Sequence, residues 1–371
     1  MRMKISTAEL TKALYRVQGI ADKKSTMPIL AHVLLDANPE TGLTLSATDM
    51  DVGLVGLYDA EVVSAGSIAV HAKQFYEIIK SLPTDVVELE TKDNHWVEVR
   101  AGNGRFRLVG MTPDEFPDLP SLSDVPTFQV PAEKLIRMTD RTLFCVSSDD
   151  NRHNLSGIYC EATNQKTLRF VSTDGHRLAL ADQSFDDDVT IEKGLIVPRK
   201  GFQELKRVLG DSNENIHTVE LGFSANNGVI RAGSVTLTTR LIEGHFPDYQ
   251  QVIPKEGSKK LVISKALFGE CLRRVSLLSQ GRAYGVRLSI SSGTLELIAE
   301  DPEFGEANES LPISYDGEDL TIGFNARYIL DVLSLITTEE IEFSLIDDLS
   351  PGVIYPKDDT SFLAVVMPIR I

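Results

Sequence analysis

The strongest constraint on the fold is an internal repeat with a period of about 125–127 residues. Asp49, Asp174 and Asp301 occupy equivalent places in three acidic turns, each of which follows an alternating apolar strand. The three segments are LTLSATDMDVGLVG (43–56), LRFVSTDGHRLALA (168–181) and LELIAEDPEFGEAN (295–308). A chain that repeats one pattern at this spacing is predicted to fold as three tandem domains.

A strand followed by an amphipathic helix recurs twice in each unit, so the repeat also halves to about 60–67 residues. The predicted apolar anchors of the six helices are Leu10, Phe75, Leu135, Phe202, Leu267 and Tyr328. The remaining strands are short and alternating, as in VVELETK and RFRLVGM. The predicted class is α+β, with two helices per domain packed on antiparallel sheets.

Two proline-containing connectors suggest where the domains meet. EFPDLPSLSDVP (115–126) leaves the first domain and HFPDYQQVIPKEG (245–257) leaves the second. The predicted domains are residues 1–125, 126–254 and 255–371. The connectors are too short to act as flexible tethers, which predicts a rigid, curved array.

Charge is unevenly distributed along the chain. The formal net charge is −17, which argues against a protein that coats nucleic acid with its whole surface. Basic residues nevertheless recur on the predicted outward faces of the helices, among them Lys12, Arg16, Lys73, Arg137 and Arg141. They could simply solvate those faces. The recurrence favours instead a shared face that attracts DNA phosphates without reading bases.

The repeat also suggests a closed assembly. Two copies of the chain would supply twelve helices, and a circle of twelve at the usual spacing leaves a hole of roughly 25 Å, wide enough for duplex DNA. A repeat array whose rotation closes forms a ring, whereas one that does not close forms a filament. The prediction is a dimeric ring with pseudo-sixfold symmetry.

Several other classes of protein are disfavoured. The N-terminal residues have no apolar run of a secretory signal, and no stretch approaches a membrane span. Cys145, Cys160 and Cys271 lack metal-ligand or redox spacing and indicate buried free thiols in a reducing cytoplasm. Asp174 and His176 could belong to a catalytic site, but no nucleophile elbow, phosphate loop or metal cluster accompanies them. We therefore expect no enzyme, no cofactor and no metal.

A series of motifs follows in order along the chain: MPIL (27–30), ATDMD (47–51), RFRLVGM with EFPDLP (105–120), STDGHRLAL (172–180), LIVPRK (195–200), LIEGHFPDY (241–249), YGVRL (284–288) and VVMPIRI (365–371). In these motifs the whole chain resembles the bacterial DNA polymerase III beta subunit family, the sliding clamps. The resemblance implies a cytoplasmic processivity factor that encircles duplex DNA and tethers the replicative polymerase, clamp loader subunits and repair proteins. The alternative is a clamp-like paralogue with a specialised role in repair or drug resistance.

The resemblance implies a head-to-tail homodimer in which the first domain of one copy meets the third domain of the other. The matching interface residues are Arg105, Phe106, Arg107 and Leu108 on one side, and Leu277, Leu278, Glu300 and Glu303 on the other. Without the resemblance, ordinary strand alternation into a core would be the better interpretation of Phe106 and Leu108.

The resemblance also implies one peptide-binding cleft, between the second and third domains, that many partners share. The matching residues are Leu155, Thr173, Gly175, His176, Arg177, Leu178, Pro247, Val252, Val365, Val366, Met367, Pro368, Ile369 and Arg370. Their apolar members suit leucine and phenylalanine anchors of a short peptide. Ile369 in this set departs from the family pattern, and so does Gln251 next to Val252, where a basic residue is common.

Lys24, Arg152 and Lys200 match family positions that contact DNA. Lys24 replaces a frequent arginine, and Asp149 brings an unfavourable negative charge into the loop that holds Arg152.

Overall fold

The computed structural model describes residues 1–21, 26–120, 122–149, 151–210, 216–254, 259–279 and 284–370. Each of its six α-helices directly follows a strand, as the halved repeat predicts. The helices are α1 (Thr7–Val17), α2 (Ala72–Lys80), α3 (Ala132–Leu143), α4 (Arg199–Leu209), α5 (Lys265–Val275) and α6 (Ala326–Leu335).

The strands are short and amphipathic. In the first part of the chain they are β1 (Arg2–Ser6), β2 (His32–Asn38), β3 (Gly42–Thr48), β4 (Val52–Tyr58), β5 (Glu61–Ser64), β6 (Gly66–His71), β7 (Val86–Thr91), β8 (Trp96–Ala101) and β9 (Gly104–Met111). The middle part contributes β10 (Thr127–Pro131), β11 (Gly157–Asn164), β12 (Thr167–Thr173), β13 (Arg177–Ser184), β14 (Leu195–Pro198), β15 (Thr218–Phe223), β16 (Asn227–Ala232) and β17 (Val235–Arg240). The last part contributes β18 (Lys259–Ser264), β19 (Gly285–Ser291), β20 (Thr294–Asp301), β21 (Gly305–Pro312), β22 (Leu320–Asn325), β23 (Glu340–Leu345), β24 (Gly352–Pro356) and β25 (Phe362–Val366).

The described residues form two compact units, each built from separate stretches of chain. The first contains residues 1–136 and 197–241. Its 13 strands form one sheet in the order β10-β15-β16-β17-β4-β3-β2-β6-β9-β8-β7-β1-β5. Strand β17 pairs antiparallel with β4, so the sheet runs continuously from the first predicted domain into the second.

The second unit contains residues 137–196 and 242–371. It holds an 8-stranded sheet in the order β14-β11-β12-β13-β25-β24-β23-β18 and a 4-stranded sheet in the order β21-β20-β19-β22. Strand β13 pairs antiparallel with β25, which repeats the junction between β17 and β4. The α+β class with antiparallel sheets is confirmed, while the predicted domain limits at residues 125 and 254 stay a prediction.

The three acidic turns of the repeat share one local structure. Asp49 Oδ1 accepts hydrogen bonds from the backbone N–H groups two and three residues later, at 3.0 and 2.7 Å. Asp174 Oδ1 does the same at 2.9 and 3.0 Å, and Asp301 Oδ1 at 2.9 and 3.2 Å. A carboxylate that bonds its own backbone two residues on forms an Asx-turn. The acidic residue is therefore a turn-former in all three copies.

The helices bury one apolar face each, but two of the predicted anchors are wrong by one residue. Leu10, Phe75, Leu135 and Phe202 are buried as predicted. In the third domain Phe268 and Ile329 are fully buried, whereas the neighbouring Leu267 is 44% exposed. The anchor always stands four residues after the last strand residue, which selects Phe268 and Ile329 over Leu267 and Tyr328. Tyr328 therefore lies on a different face of α6 from the core.

All three cysteines are buried free thiols, as predicted. Burial raises the pKa of the Cys145 and Cys160 thiols well above the ordinary value, which leaves them unreactive. No helix of the described residues is long and apolar enough to cross a membrane.

Candidate functional site

The turn at residues 173–177 is held by its own side chains. Thr173 Oγ1 donates to the Arg177 carbonyl at 2.6 Å, in addition to the two bonds that Asp174 accepts. Gly175 has φ +88°, a left-handed conformation that glycine adopts without strain. The turn ends β12, begins β13 and leaves His176 exposed and Arg177 half-buried. Its stiffness fixes the direction of both side chains.

Arg177 is the centre of this site. Its Nε donates to Asp174 Oδ2 at 3.0 Å, its Nη1 to Asp331 Oδ2 at 2.6 Å and its Nη2 to the Phe144 carbonyl at 3.0 Å. The guanidinium carbon also lies 4.5 Å from the Tyr328 ring centroid and 5.1 Å from that of Phe144, within cation–π range. One side chain therefore ties the turn, the end of α3 and α6 together.

Tyr328 and Asp331 were missed as site residues by the sequence reasoning. They are three residues apart on α6 and so share a face of that helix. The His176 ring stacks on Tyr328 with centroids 6.4 Å apart and an interplanar angle of 22°. Burial, followed by the charge of Asp174, raises the pKa of the Tyr328 phenol. The available sequence signal was that Tyr328 stands three residues after β22, whereas the buried anchor of a helix stands four residues after its strand.

The floor of the site is a buried apolar cluster on the 8-stranded sheet. Leu178 lies opposite Val365 in the β13–β25 pairing, and both pack with Val171, Tyr249 and Val353. Val366 is buried as well. The paired strands leave Leu178 and Val366 almost no exposed surface, and their part in lining the peptide cleft stays a prediction. Leu155 is buried too, and its carbonyl accepts a hydrogen bond from the Ser147 N–H at 3.0 Å.

The last residues form the accessible wall. The Met367 N–H donates to the His176 carbonyl at 2.9 Å, and the Ile369 N–H donates to the Gly323 carbonyl at 2.9 Å. Met367, Pro368 and Ile369 are half-buried, and Arg370 is exposed. The chain end is thus fastened to the turn and to β22, with apolar side chains still partly open to solvent.

The connector before the third predicted domain supplies the remaining wall. Tyr249 is buried, donates its phenol hydrogen to Glu161 and accepts a hydrogen bond from Arg169 Nη1 at 3.0 Å. Burial, followed by the hydrogen bond to Glu161, raises the pKa of Tyr249. Pro247 is exposed and Val252 is 39% exposed. Gln251 donates to Asp248 Oδ2 at 2.8 Å, so its amide is already engaged.

The predicted DNA contacts divide into exposed and buried residues. Lys73, Arg137 and Arg152 are exposed, while Lys12 and Lys200 are half-buried. Arg137 donates to Gln183 at 3.0 Å, and Lys200 forms an ion pair with Asp49. Arg152 donates to the Asp174 carbonyl at 3.1 Å and lies 3.4 Å from Asp149. Lys24 lies outside the described residues.

Two predicted DNA contacts are wrong. Arg16 is fully buried in the chain. Arg141 is 7% exposed, donates to Asp359 at 2.8 Å and to Ser361 at 2.9 Å, and stacks on Phe362. Both stand on helix faces that pack against neighbouring elements. Helical spacing alone had placed them with the solvent-exposed lysines.

The predicted dimer residues lie on β9 on one side, and on the turn after α5, β20 and the turn after β20 on the other. On β9, Arg105 and Arg107 are exposed, Phe106 is 36% exposed and Leu108 is half-buried. Arg107 stacks on Trp96 with its guanidinium 4.9 Å from the ring centroid.

On the other side, Leu277 and Leu278 lie in the short turn after α5, with Leu277 65% exposed and Leu278 half-buried, while Glu300 lies on β20 and Glu303 follows that strand. Glu300 pairs with Arg287 at 2.5 Å, and Glu303 is exposed. Among the residues that the structure describes, no group of three or more histidine, cysteine or acidic side chains could hold a metal ion.

The chain is similar to known proteins over its whole length. Three family models of the DNA polymerase III beta subunit match it: the N-terminal domain model at residues 1–120, the central domain model at 129–248 and the C-terminal domain model at 250–370. The beta sliding clamp of Caulobacter vibrioides is 35% identical over 376 residues, and that of Pseudomonas aeruginosa is 36% identical over 374 residues. Both alignments cover 100% of each chain.

Solved structures have the same fold. The Pseudomonas aeruginosa sliding clamp bound to griselimycin superposes with a TM-score of 0.94 at 35% identity, covering 100% of both chains. The DNA polymerase III beta subunit of Thermotoga maritima gives a TM-score of 0.93 at 30% identity, covering 100% of this chain and 99% of the other.

Proposed function

This chain belongs to the DNA polymerase III beta subunit family, the bacterial sliding clamps, and from that premise we propose that it closes with a second copy into a ring around duplex DNA. It has three clamp domains in tandem, and its family is a non-enzymatic processivity factor.

The observation that carries ring closure is a pair of open strand edges. Among the described residues, β9 pairs with β6 only through Met111 and Gly110, so residues 104–109 bond β8 on one side alone. In the part of the chain that the structure describes, β21 pairs with β20 alone and ends the 4-stranded sheet. An unpaired strand edge is a template for another chain. In the proposed head-to-tail dimer, β9 of one copy continues the sheet that β21 of the other copy ends.

Apolar side chains beside these edges support the same contact. Phe106 is 36% and Val109 is 62% exposed on β9, and Leu277 is 65% exposed after α5. Exposed large apolar side chains beside an open edge are an aggregation risk unless a partner covers them. Burying them in a dimer removes that risk and fixes the register of the two strands.

DNA binding in the ring would depend on closure more than on affinity. Lys73 and Arg137 are exposed on α2 and α3 and can attract phosphates. The net charge of −17 repels DNA from the remaining surface. Few phosphates need be neutralised, because a closed ring cannot leave a circular duplex. A separate ATP-driven loader would open the ring, and the clamp would work in the cytoplasm, where replication occurs.

Partners would bind at the cleft around Arg177. The half-buried Met367, Pro368 and Ile369 and the exposed Val252 offer apolar surface, while His176 and Tyr328 offer stacked rings. This chemistry suits a short segment with leucine and phenylalanine anchors, such as a replicative polymerase, a loader subunit or a repair protein could supply. The griselimycin complex of the Pseudomonas aeruginosa clamp supports the view that clamps of this fold bind ligands.

The test is binding of a labelled Gln-Leu-x-Leu-Phe peptide to the intact chain, measured by fluorescence anisotropy. A chain without residues 367–371 should lose binding while remaining folded, because it lacks the wall next to His176. Val63→Ala, at a position 60% exposed in the other compact unit, is the matched control and should bind normally. Failure of the intact chain to bind would contradict the cleft and favour a specialised paralogue whose pocket is altered at Ile369 and Gln251.

A further inference from the structure

The cationic centre of the proposed cleft is already occupied by an acidic side chain of the same chain. Arg177 Nη1 donates to Asp331 Oδ2 at 2.6 Å, across 154 residues of sequence. Asp331 stands on α6, one helical turn after Tyr328, whose ring faces the same guanidinium. The contact therefore belongs to the wall of the cleft.

The three nitrogens of Arg177 differ in accessibility. Nε bonds Asp174, whose side chain is 19% exposed, and Nη2 bonds the Phe144 backbone. Nη1 bonds Asp331, whose side chain is 49% exposed. The rings of Phe144 and Tyr328 cover other parts of the guanidinium. A ligand in the cleft could thus reach Arg177 mainly from the Asp331 side.

The energetics make this contact exchangeable. The Asp331 side chain is 49% exposed and that of Arg177 is 12% exposed, so water and salt reach the ion pair from the Asp331 side and weaken it there. A ligand carboxylate could replace Asp331 and recover a similar bond. An amide or an apolar group could not do so, because an uncharged acceptor makes the weaker hydrogen bond.

We propose that Asp331 is a specificity-determining residue of the cleft, whose carboxylate competes with a carboxylate of the bound peptide for Arg177. The inference rests on the proposed peptide cleft and adds a ligand class to it: peptides that carry an acidic group next to their apolar anchors. Asp331 lowers the affinity of the cleft for such peptides, since the carboxylate of each peptide must displace the carboxylate of Asp331 from Arg177.

The test uses two forms of one Gln-Leu-x-Leu-Phe peptide, with a free C-terminal carboxylate or a C-terminal amide. Asp331→Asn keeps the shape of the side chain and removes its charge. We expect this variant to bind the carboxylate peptide about three- to fivefold more tightly than the unmodified chain does, at low salt. Binding of the amide peptide should change by less than about twofold. Added NaCl should reduce the gain.

Two variants make the result specific. Asp316→Asn removes an exposed carboxylate that accepts a hydrogen bond from Ser292 and is not bonded to Arg177, so it should leave both affinities unchanged. Arg177→Gln combined with Asp331→Asn should abolish the difference between the peptides. Thermal unfolding identifies any loss of fold in the double variant. If the double variant does not fold, the comparison of the two peptides on Asp331→Asn alone still tests the proposal.

The outcomes separate the two proposals. Equal changes for both peptides, or weaker binding of both by Asp331→Asn, would show that Asp331 only braces the cleft wall and would overturn this inference alone. If neither peptide bound to the intact chain or to Asp331→Asn, the cleft itself would be refuted and the role of Asp331 with it.

Discussion

The guanidinium of Arg105 donates two hydrogen bonds to one carboxylate oxygen of Glu98: Nε lies 2.7 Å from Oε2, and Nη2 bonds the same oxygen. The Glu98 side chain is 1% exposed, and its other oxygen accepts a bond from Arg100 Nε at 2.5 Å. Two arginines that could have met the acidic side of a partner are thus held within their own sheet. The positive charges of Arg100 and Arg105 at this edge of the sheet are therefore already paired with Glu98 within a single chain.

Stability should depend on Glu98 in a pH-dependent way. Its hydrogen bonds, first to Arg105, hold the pKa of Glu98 below the ordinary value. A lowered pKa in the folded state stabilises the fold above the unfolded pKa, and this contribution is lost as the pH falls through the folded pKa. We expect Glu98→Gln to unfold at lower urea concentration at neutral pH, with the difference shrinking on acidification below about pH 4. A difference that stayed constant with pH would contradict the ionic origin.

Dimerisation should depend on Leu277, the exposed leucine that follows α5. Leu277→Asp places a charge in the proposed interface and should weaken the dimer about tenfold to a hundredfold. Leu349→Asp is a matched control, since Leu349 is 67% and Leu277 65% exposed and only Leu277 lies in the proposed interface. Sedimentation velocity over a concentration series measures the dissociation constant. A Leu277→Asp chain that dimerises as well as the control would refute the assigned surface.

Equilibrium binding to short linear duplexes should be weak and should fade between low and moderate salt, because it rests on few phosphate contacts. Reversing both Lys73 and Arg137 to Glu should weaken it by roughly tenfold at low salt. Lys166→Glu changes an exposed lysine on a strand turn and serves as the control. Anisotropy of a labelled duplex is the readout. Tight, salt-resistant binding of short duplexes would argue against a topological clamp.

The corrected helix anchors make a stability prediction. Phe268→Ala should lower the free energy of unfolding by about 3–5 kcal/mol, because it leaves a cavity under α5. Leu267→Ala, at the neighbouring position that is 44% exposed, should cost less than about 1 kcal/mol. Urea unfolding of both variants measures the difference. The reverse ranking would restore Leu267 as the anchor.

Helix position also explains why some site residues escaped the sequence reasoning. Tyr328 looked like a core anchor because aromatic residues stand near equivalent places in α2 and α4, at Phe75 and Phe202. The structure shows Ile329 in the core, which turns Tyr328 towards Arg177. A shift of one residue rotates a side chain by about 100° around a helix, enough to move it from core to cleft.

The sequence by itself determined the repeat, the six strand–helix units, the antiparallel α+β class and the family. The first three rest on periodicity and local turn chemistry, which neighbouring residues encode, whereas the family rests on the resemblance of motifs such as STDGHRLAL and VVMPIRI. Only the tertiary structure decided that Arg16 and Arg141 are buried, that Lys200 pairs with Asp49 and that Arg177 bonds Asp331. Those outcomes depend on which elements pack together across more than a hundred residues, and a long basic side chain follows whichever acidic partner the packing brings within reach.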